Sequence, residues 1–453
     1  MNRRQFLTMA AAAAVLPRAQ ARESRLLRAA PARQSLAGAS HPDTAVWAYD
    51  GRVPGPELRY CQGERLRIEV QNALEADTTV HFHGIRLPNA MDGVPHLTQP
   101  PIAANGGRFL YECDLPDAGT YWYHPHLGSP EQVGRGLYGA LVVEESNPPA
   151  VDRELVWVLS DWRLDREARI VEDFGNIMDA SHAGRIGNTV TLNGAIAEAL
   201  EVRAGERIRL RLINASNARI YGLRFDGHAP WVIALDGHPV ETHQPANNRV
   251  VLGPAQRADL ILDCIGARGS SHPVIDEFYA RRAYRLLDFR YSNAPAYARG
   301  KRPVPRLAPN RLPEPDLAAA ERHRVVFGGG MMGAMPSQRD HRGLFWTVNG
   351  KPVPENQHRH APLLTLARGR SYVLELANDT SWHHPIHLHG HVFRVVSRDG
   401  KPNTLREWRD TVLLDPESRA EIAFVADNPG DWMFHCHVLE HQATGMMAVV
   451  RVA

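Results

Sequence analysis

Three stretches of the chain alternate apolar and polar residues with a period of two, and they align without gaps. They are "LRYCQGERLRIEVQN" (Leu58–Asn72), "LEVRAGERIRLRLIN" (Leu200–Asn214) and "LTLARGRSYVLELAN" (Leu364–Asn378). In the first, Leu66, Ile68 and Val70 alternate with Arg65, Arg67 and Glu69. Side chains at i and i+2 share a face of a strand, so this pattern predicts a half-buried strand in each copy. Each strand comes after a Gly (Gly63, Gly205, Gly369) expected to turn the chain, and each ends at an Asn nine residues later (Asn72, Asn214, Asn378). The copies start about 140–165 residues apart, a domain-sized spacing. Pro-rich connections at Glu144–Ala150 and Lys301–Asp316 separate them. The expectation is an all-β chain of three Greek-key β-sandwich domains, at residues 22–148, 149–300 and 301–453, after a short leader at 1–21.

Downstream of each copy the three segments diverge. Nine residues past Asn72 stands His81, opening "HFHG", and nine past Asn378 stands His387, opening "HLHG". The same position after Asn214 is Leu223, in "LRFDG". A second phrase occurs in the outer copies only: "GTYWYHPH" (Gly119–His126) and "GDWMFHCH" (Gly430–His437). The middle copy reads as one that carries no metal ligands, or a spacer.

Strand parity turns these phrases into chemistry. His81/His83, His124/His126, His387/His389 and His435/His437 are four same-face pairs, two from each outer domain. A lone strand His is most often a core or surface residue. Four pairs at repeat-related positions point instead to a polynuclear metal site between the first and third domains, with neutral imidazole suited to copper. Cys436 lies between His435 and His437, so its thiol faces the other way. His384 is an odd three residues before His387, and His441 and Met446 come in the turn after Cys436. Two imidazoles, a thiolate and a weak thioether describe a blue-copper electron-transfer site. Adjacent His383 is the competing ligand to His384.

Charge adds little. The formal net charge is +2, but Arg3, Arg4 and Arg18 fall in the leader, which has no acids. Residues 22–453 therefore carry 49 of the 52 basic residues against 50 acidic ones, a net of −1. No long basic run marks a nucleic-acid surface. The leader "MNRRQFLTMAAAAAVLPRAQA" has a basic start, an apolar middle and a small-x-small end, and it resembles a twin-arginine export signal. Its apolar run is too short for a stable membrane span of roughly 20 residues. Export permits disulfides, and Cys61–Cys113 is one possible pair; buried thiols are the default for Cys61, Cys113 and Cys264.

In chain order, "HFHG", "WYHPH", "HPIHLHGH" and "HCHVLEHQATGMM" resemble the multicopper oxidases, specifically the laccase and cuprous-oxidase group. The resemblance covers nearly all of residues 22–453 and implies three cupredoxin domains and four coppers. It implies His384, Cys436, His441 and Met446 on a type 1 copper and His81 and His387 on a type 2 copper. His83, His124 and His437 would hold one type 3 copper, and His126, His389 and His435 the other. The implied activity takes one electron at a time from a reducing substrate at the type 1 site, with His384 or His441 as entry. Electrons pass through Cys436 to His435 and His437, and O2 becomes water at the cluster. Asp92 in "NAMDGVP" matches the family's acidic residue beside the cluster and would relay protons; a plain turn Asp before Gly93 is the alternative. Gln442 stands where some bacterial members have a Glu, and it cannot titrate.

The substrate is less defined. A cuprous oxidase for copper tolerance would use soft thioethers, for which "FGGGMMGAMP" offers Met331, Met332 and Met335. A laccase-like oxidase would take phenols or aromatic amines at an apolar cleft, and Asp379 is the nearest candidate acid. A non-catalytic copper-binding or envelope protein, or a nitrite reductase, would lack part of this ligand set. A periplasmic monomer exported by the twin-arginine machinery is expected.

Overall fold

The computed structural model describes residues 24–297, 302–331, 343–355 and 362–453. The leader and the positions of Met332 and Met335 lie outside the described residues. Strands dominate, and they form six sheets. Two sheets draw their strands from residues between Arg25 and Glu144, two from Arg153 to Tyr291, and two from Glu321 to Val452. Each repeat strand sits inside one sheet of its pair: Arg65–Asn72, Arg207–Asn214 and Ser371–Asn378.

The repeated glycines and asparagines have structural jobs. Gly63, Gly205 and Gly369 all turn with φ between +80° and +86°, a region costly for any residue with a Cβ. Each Asn accepts from the backbone N–H two residues on, at 3.0 Å in all three copies. Its amide donates to a nearby carbonyl and to a loop far along the chain, at Ile102, Leu252 and Asp415 respectively. The Asn therefore ties each strand exit to a distant loop, which local periodicity cannot reveal.

One expectation of alternation changes in the middle copy. Arg207–Asn214 is buried along its whole length. Arg209 and Arg211 meet Asp259 of their own domain at 2.7 and 3.0 Å; Arg209 also pairs with Glu145 of the first domain at 2.6 Å, and Arg211 with Glu154 on the adjacent strand at 3.0 Å. Burying guanidinium is tolerable only with such pairing. Leu223 and Phe225, which fill the slot of the outer His pairs, are fully buried in the middle core.

Cys61 corrects the default of buried thiols. In Gly55–Cys61 the inward residues are Leu58 and Tyr60, and Cys61 falls on the exposed parity. No disulfide forms: Cys61, Cys113, Cys264 and Cys436 are all free. Apolar side chains of the first and last sheet pairs join in one continuous core, from Leu27 to Val452. That core carries the histidine strands from both ends of the chain. No helix among the described residues is long and apolar enough to cross a membrane.

Candidate metal centres

The two outer sheet pairs present their histidines in the same register. His81 lies opposite His124, and His387 lies opposite His435. Three pairs then run off the ends of their strands, which stop at His124, Leu388 and Cys436. His126, His389 and His437 are held there by backbone bonds: His126 N–H to Thr79 Oγ1 (3.1 Å), His389 N–H to the Met433 carbonyl (3.0 Å), and His437 N–H to the Pro385 carbonyl (2.6 Å).

All eight side chains converge in one buried group. Rings from opposite ends of the chain pack directly: His83 on His387 at 3.8 Å, His81 on His389 at 4.1 Å, His126 on His435 and His124 on His437 at 5.1 Å. Nitrogens of His126, His389 and His435 lie within 4.8 Å of one another, as do those of His81, His387 and His389 and those of His81, His83 and His124. Burial, and then the neighbouring imidazoles, holds His83, His126, His387 and His389 well below the usual histidine range. Burial does the same for His124 and His437. Neutral rings keep a lone pair to offer.

The outward nitrogens are anchored by two aspartates in matching fashion. His81 Nδ1–H donates to the Asp92 carbonyl at 2.7 Å, while the Asp92 carboxylate takes His389 Nδ1–H at 2.9 Å. His387 Nδ1–H donates to the Asp410 carbonyl at 2.8 Å, while the Asp410 carboxylate takes His83 Nε2–H at 3.0 Å. Each Asp thus holds the first His of its own domain by its backbone and the second His of the other domain by its side chain. The inward nitrogens His81 Nε2, His387 Nε2, His83 Nδ1 and His124 Nε2 are buried without a hydrogen-bond partner. Uncompensated burial of that many polar atoms is costly in a protein core. Neutral imidazoles aimed at a common centre are a donor set that fits copper.

On the opposite face of the same strand, Cys436 Sγ lies 3.4 Å from His384 Nδ1 and 3.6 Å from His441 Nδ1, and those nitrogens are 3.1 Å apart. Met446 is buried beside them; its N–H donates to the His441 carbonyl and its carbonyl accepts from Cys436 N–H. His383 points away, toward Asp415 and Phe278. Burial raises the Cys436 thiol and pushes His441 down to about 3. Such a thiol needs a cation to stay deprotonated, and a soft, two-nitrogen, one-sulfur set fits copper.

Neither type 1 candidate histidine reaches solvent. His384 Nε2 meets Thr380 Oγ1 at 2.8 Å, and His441 Nε2–H donates to the His182 carbonyl at 2.6 Å. The covering turn comes from the middle domain and continues from the helix Ile177–Ser181. Trp346 braces it, packing on His441 at 4.1 Å and donating its indole N–H to the Ala180 carbonyl at 2.6 Å. Outside the cover stand Ile177, Met178 and Met331, at 63%, 61% and 39% exposure, and a His182–Trp382 ring pair.

Several positions around the candidate sites had no signal in the pattern. Asp410, Trp346 and the His182 carbonyl carry no periodicity or motif. Glu440 is buried and its carboxyl is raised by burial; one oxygen accepts from Asn217 at 3.0 Å. Gln442 is buried with both side-chain polar atoms unpartnered. Asp379 is exposed and pairs with Arg419 at 3.4 Å.

Comparison with known proteins agrees with this geometry. Three multicopper oxidase family profiles match residues 32–148, 153–270 and 333–453. The chain is 30% identical over 469 residues to the multicopper oxidase MmcO of Mycobacterium tuberculosis, covering 92% of this chain and 84% of that protein. A multi-copper oxidase of Pseudomonas thermotolerans superposes with a TM-score of 0.85 at 37% identity, covering 95% of this chain and 99% of that one. A multicopper oxidase of Campylobacter jejuni described as a metallo-oxidase superposes with a TM-score of 0.78 at 26% identity, covering 94% and 90%.

Proposed function

The chain belongs to the multicopper oxidase family, a copper-dependent oxidase that couples oxidation of a reducing substrate to reduction of O2, and from that premise we propose how its own residues divide the work. His384, Cys436 and His441, with Met446 as axial group, would hold the type 1 copper. His81 and His387 would hold the type 2 copper. His83, His124 and His437 would hold one type 3 copper and His126, His389 and His435 the other. When bound, copper supplies one-electron acceptance at the first site and four-electron reduction of O2 to water at the second.

The observation that carries this reading is the strand Gly430–Cys436. Cys436 groups with His384 and His441, while His435 groups with His126 and His389 and the His437 ring packs on His124, so a single covalent segment joins the centres. The chain's role is to fix rings and exclude water. Every cluster imidazole is buried, and carbonyls and carboxylates orient the outward nitrogens. Asp92 touches both His81 and His389 and would pass protons at its carboxylate. The division into domains at 22–148, 149–300 and 301–453, export through the twin-arginine machinery to the periplasm and a monomeric state belong to the same reading.

The donor side favours Cu(I) as substrate. The type 1 candidate histidines are covered, and exposed thioethers at Met178 and Met331 stand outside the cover. Soft sulfur suits Cu(I), and a role in copper tolerance fits that preference. The half-buried His182–Trp382 pair supports a second reading, a phenol or aromatic amine stacked on that surface. Oxygen uptake with Cu(I) and with a phenol, on wild type and on Met178→Leu/Met331→Leu, separates them. Loss confined to Cu(I) supports the first, and unchanged Cu(I) kinetics removes it.

A further inference from the structure

The turn His124–Pro125–His126 carries two of the eight histidines, and a carboxylate from the third domain reaches toward it. Glu355 Oε1 accepts from Ser129 N–H at 3.3 Å. Ser129 Oγ–H donates to the Pro125 carbonyl at 3.4 Å, and the same carbonyl accepts from His124 Nδ1–H at 3.0 Å. Ser129 and His126 are buried, whereas Glu355 is half-buried, so Glu355 spans the boundary between solvent and the turn. Burial raises its carboxyl, outweighing the backbone N–H groups of Ser129 and Gly128, which lower it. A carboxyl raised toward the working pH both takes up and releases protons.

The interior beside Glu355 is polar. The short helix Ser129–Gly134 packs against the helix Leu439–Ala443. Asn217 ties the two together, donating to the Pro130 carbonyl at 2.7 Å and to Glu440 Oε1 at 3.0 Å. Gln442, on the second helix, is fully buried with Oε1 and Nε2 unpartnered, and both ring nitrogens of His126 are unpartnered as well. Its carbonyl accepts from Gly445 N–H at 3.2 Å, and the Gly445 carbonyl accepts from Val353 N–H at 3.2 Å, so the segment that carries Glu355 runs beside Gln442. Buried polar atoms of this kind are ordinarily met by ordered water, and a water chain passes protons. The Gln442 amide cannot itself titrate.

We propose that Glu355 carries protons from solvent to the His126 end of the cluster, with the polar interior around Gln442 as the last stretch. Reduction of O2 to two waters takes four electrons and four protons. The reducing substrate supplies the electrons. Each proton that leaves the Glu355 carboxyl is replaced from solvent, so the residue is unchanged over a turnover. Asp92 attends His81 and His389, so the two acids serve different histidines. The proposal rests on the reading that the eight histidines hold copper.

Side-chain carbon-13 NMR of the copper-free protein, with Glu355→Gln to assign the resonance, reads the carboxyl directly. Glu355 is expected to titrate above the ordinary glutamate value of about 4.3. Titration at or below that value overturns the relay. Glu355→Gln keeps an acceptor for Ser129 N–H, so the turn stays fixed. In the copper-loaded protein it should slow O2 uptake about 100-fold while copper content and the blue band are kept. Gln442→Glu added to that variant returns an acid to the same interior and should recover most of the rate, which a merely structural role does not allow. Glu355→Gln at the wild-type rate, or a loss that Gln442→Glu leaves in place, overturns the relay alone. Wild type that takes up no copper at the eight histidines overturns the cluster reading, and the relay with it.

Discussion

Gly84→Ala tests how tightly the cluster depends on its surroundings. Gly84 closes the "HFHG" phrase with φ +87°, and a Cβ there would lie 2.5 Å from both Arg257 Nη2 and Asp410 Oδ2. Both are fully buried, and Arg257 is tied by further bonds to Thr120 and Ala255, so neither can step aside cheaply. The backbone conformation costs about 1–2 kcal/mol for a residue with a Cβ. Parting the buried ion pair adds about 3–5 kcal/mol. The sum, on the order of 5 kcal/mol, is a large share of the stability of a typical domain. Gly369→Ala is the control: φ is +80° and nothing lies within 4 Å of the added atom, so only the backbone cost applies. Urea unfolding of both copper-free variants, with copper stoichiometry after reloading, measures the difference. Gly84→Ala should be the less stable by about 3–5 kcal/mol and should load less copper. Equal destabilisation of the two variants would refute the packing argument.

Three other outcomes are expected. Asp92→Asn should slow O2 consumption on the order of 100-fold or more while the blue colour stays, as steady-state oxygen uptake beside the visible spectrum can check. His238, outside the metal sites, is pushed down to about 4, first by burial. The unfolded chain therefore binds its proton first as pH falls, so this stability is present above about pH 6.5 and is lost on acidification. The gap between wild type and His238→Leu should narrow by about 2 kcal/mol from pH 7 to pH 5, read by urea midpoints; a constant gap contradicts it. Met178→Leu/Met331→Leu should raise KM for Cu(I) and leave phenol oxidation unchanged, and equal effects on both would count against Cu(I) docking.

The sequence made the repeating parts legible and left the singular ones hidden. Period-two alternation exposed the three repeat strands, and the parity of His435, Cys436 and His437 separated two donor sets. Both signals are local, and strand geometry converts them directly into faces. Asp410 and Arg257 gave no such signal. Each is a single charged residue whose partner lies 153 positions away, and only the packed domains bring them together. The buried face of Arg209 and Arg211 misled for the same reason, since its pairing acids Glu145 and Glu154 belong to other segments. The cover on His441 is a backbone carbonyl, which no residue type announces. Cys61 was legible and misjudged: its own strand parity places it outward.

Everything above turns on one strand serving two centres, with Cys436 on one face and His435 and His437 on the other. Cys436→Ser in the copper-loaded protein isolates that arrangement, read by visible spectrum, copper content and oxygen uptake. The blue band and substrate oxidation should both be lost, with copper kept at the eight-histidine cluster. Retained blue absorbance, or loss of the cluster copper together with the blue band, would contradict the division of that strand between two sites.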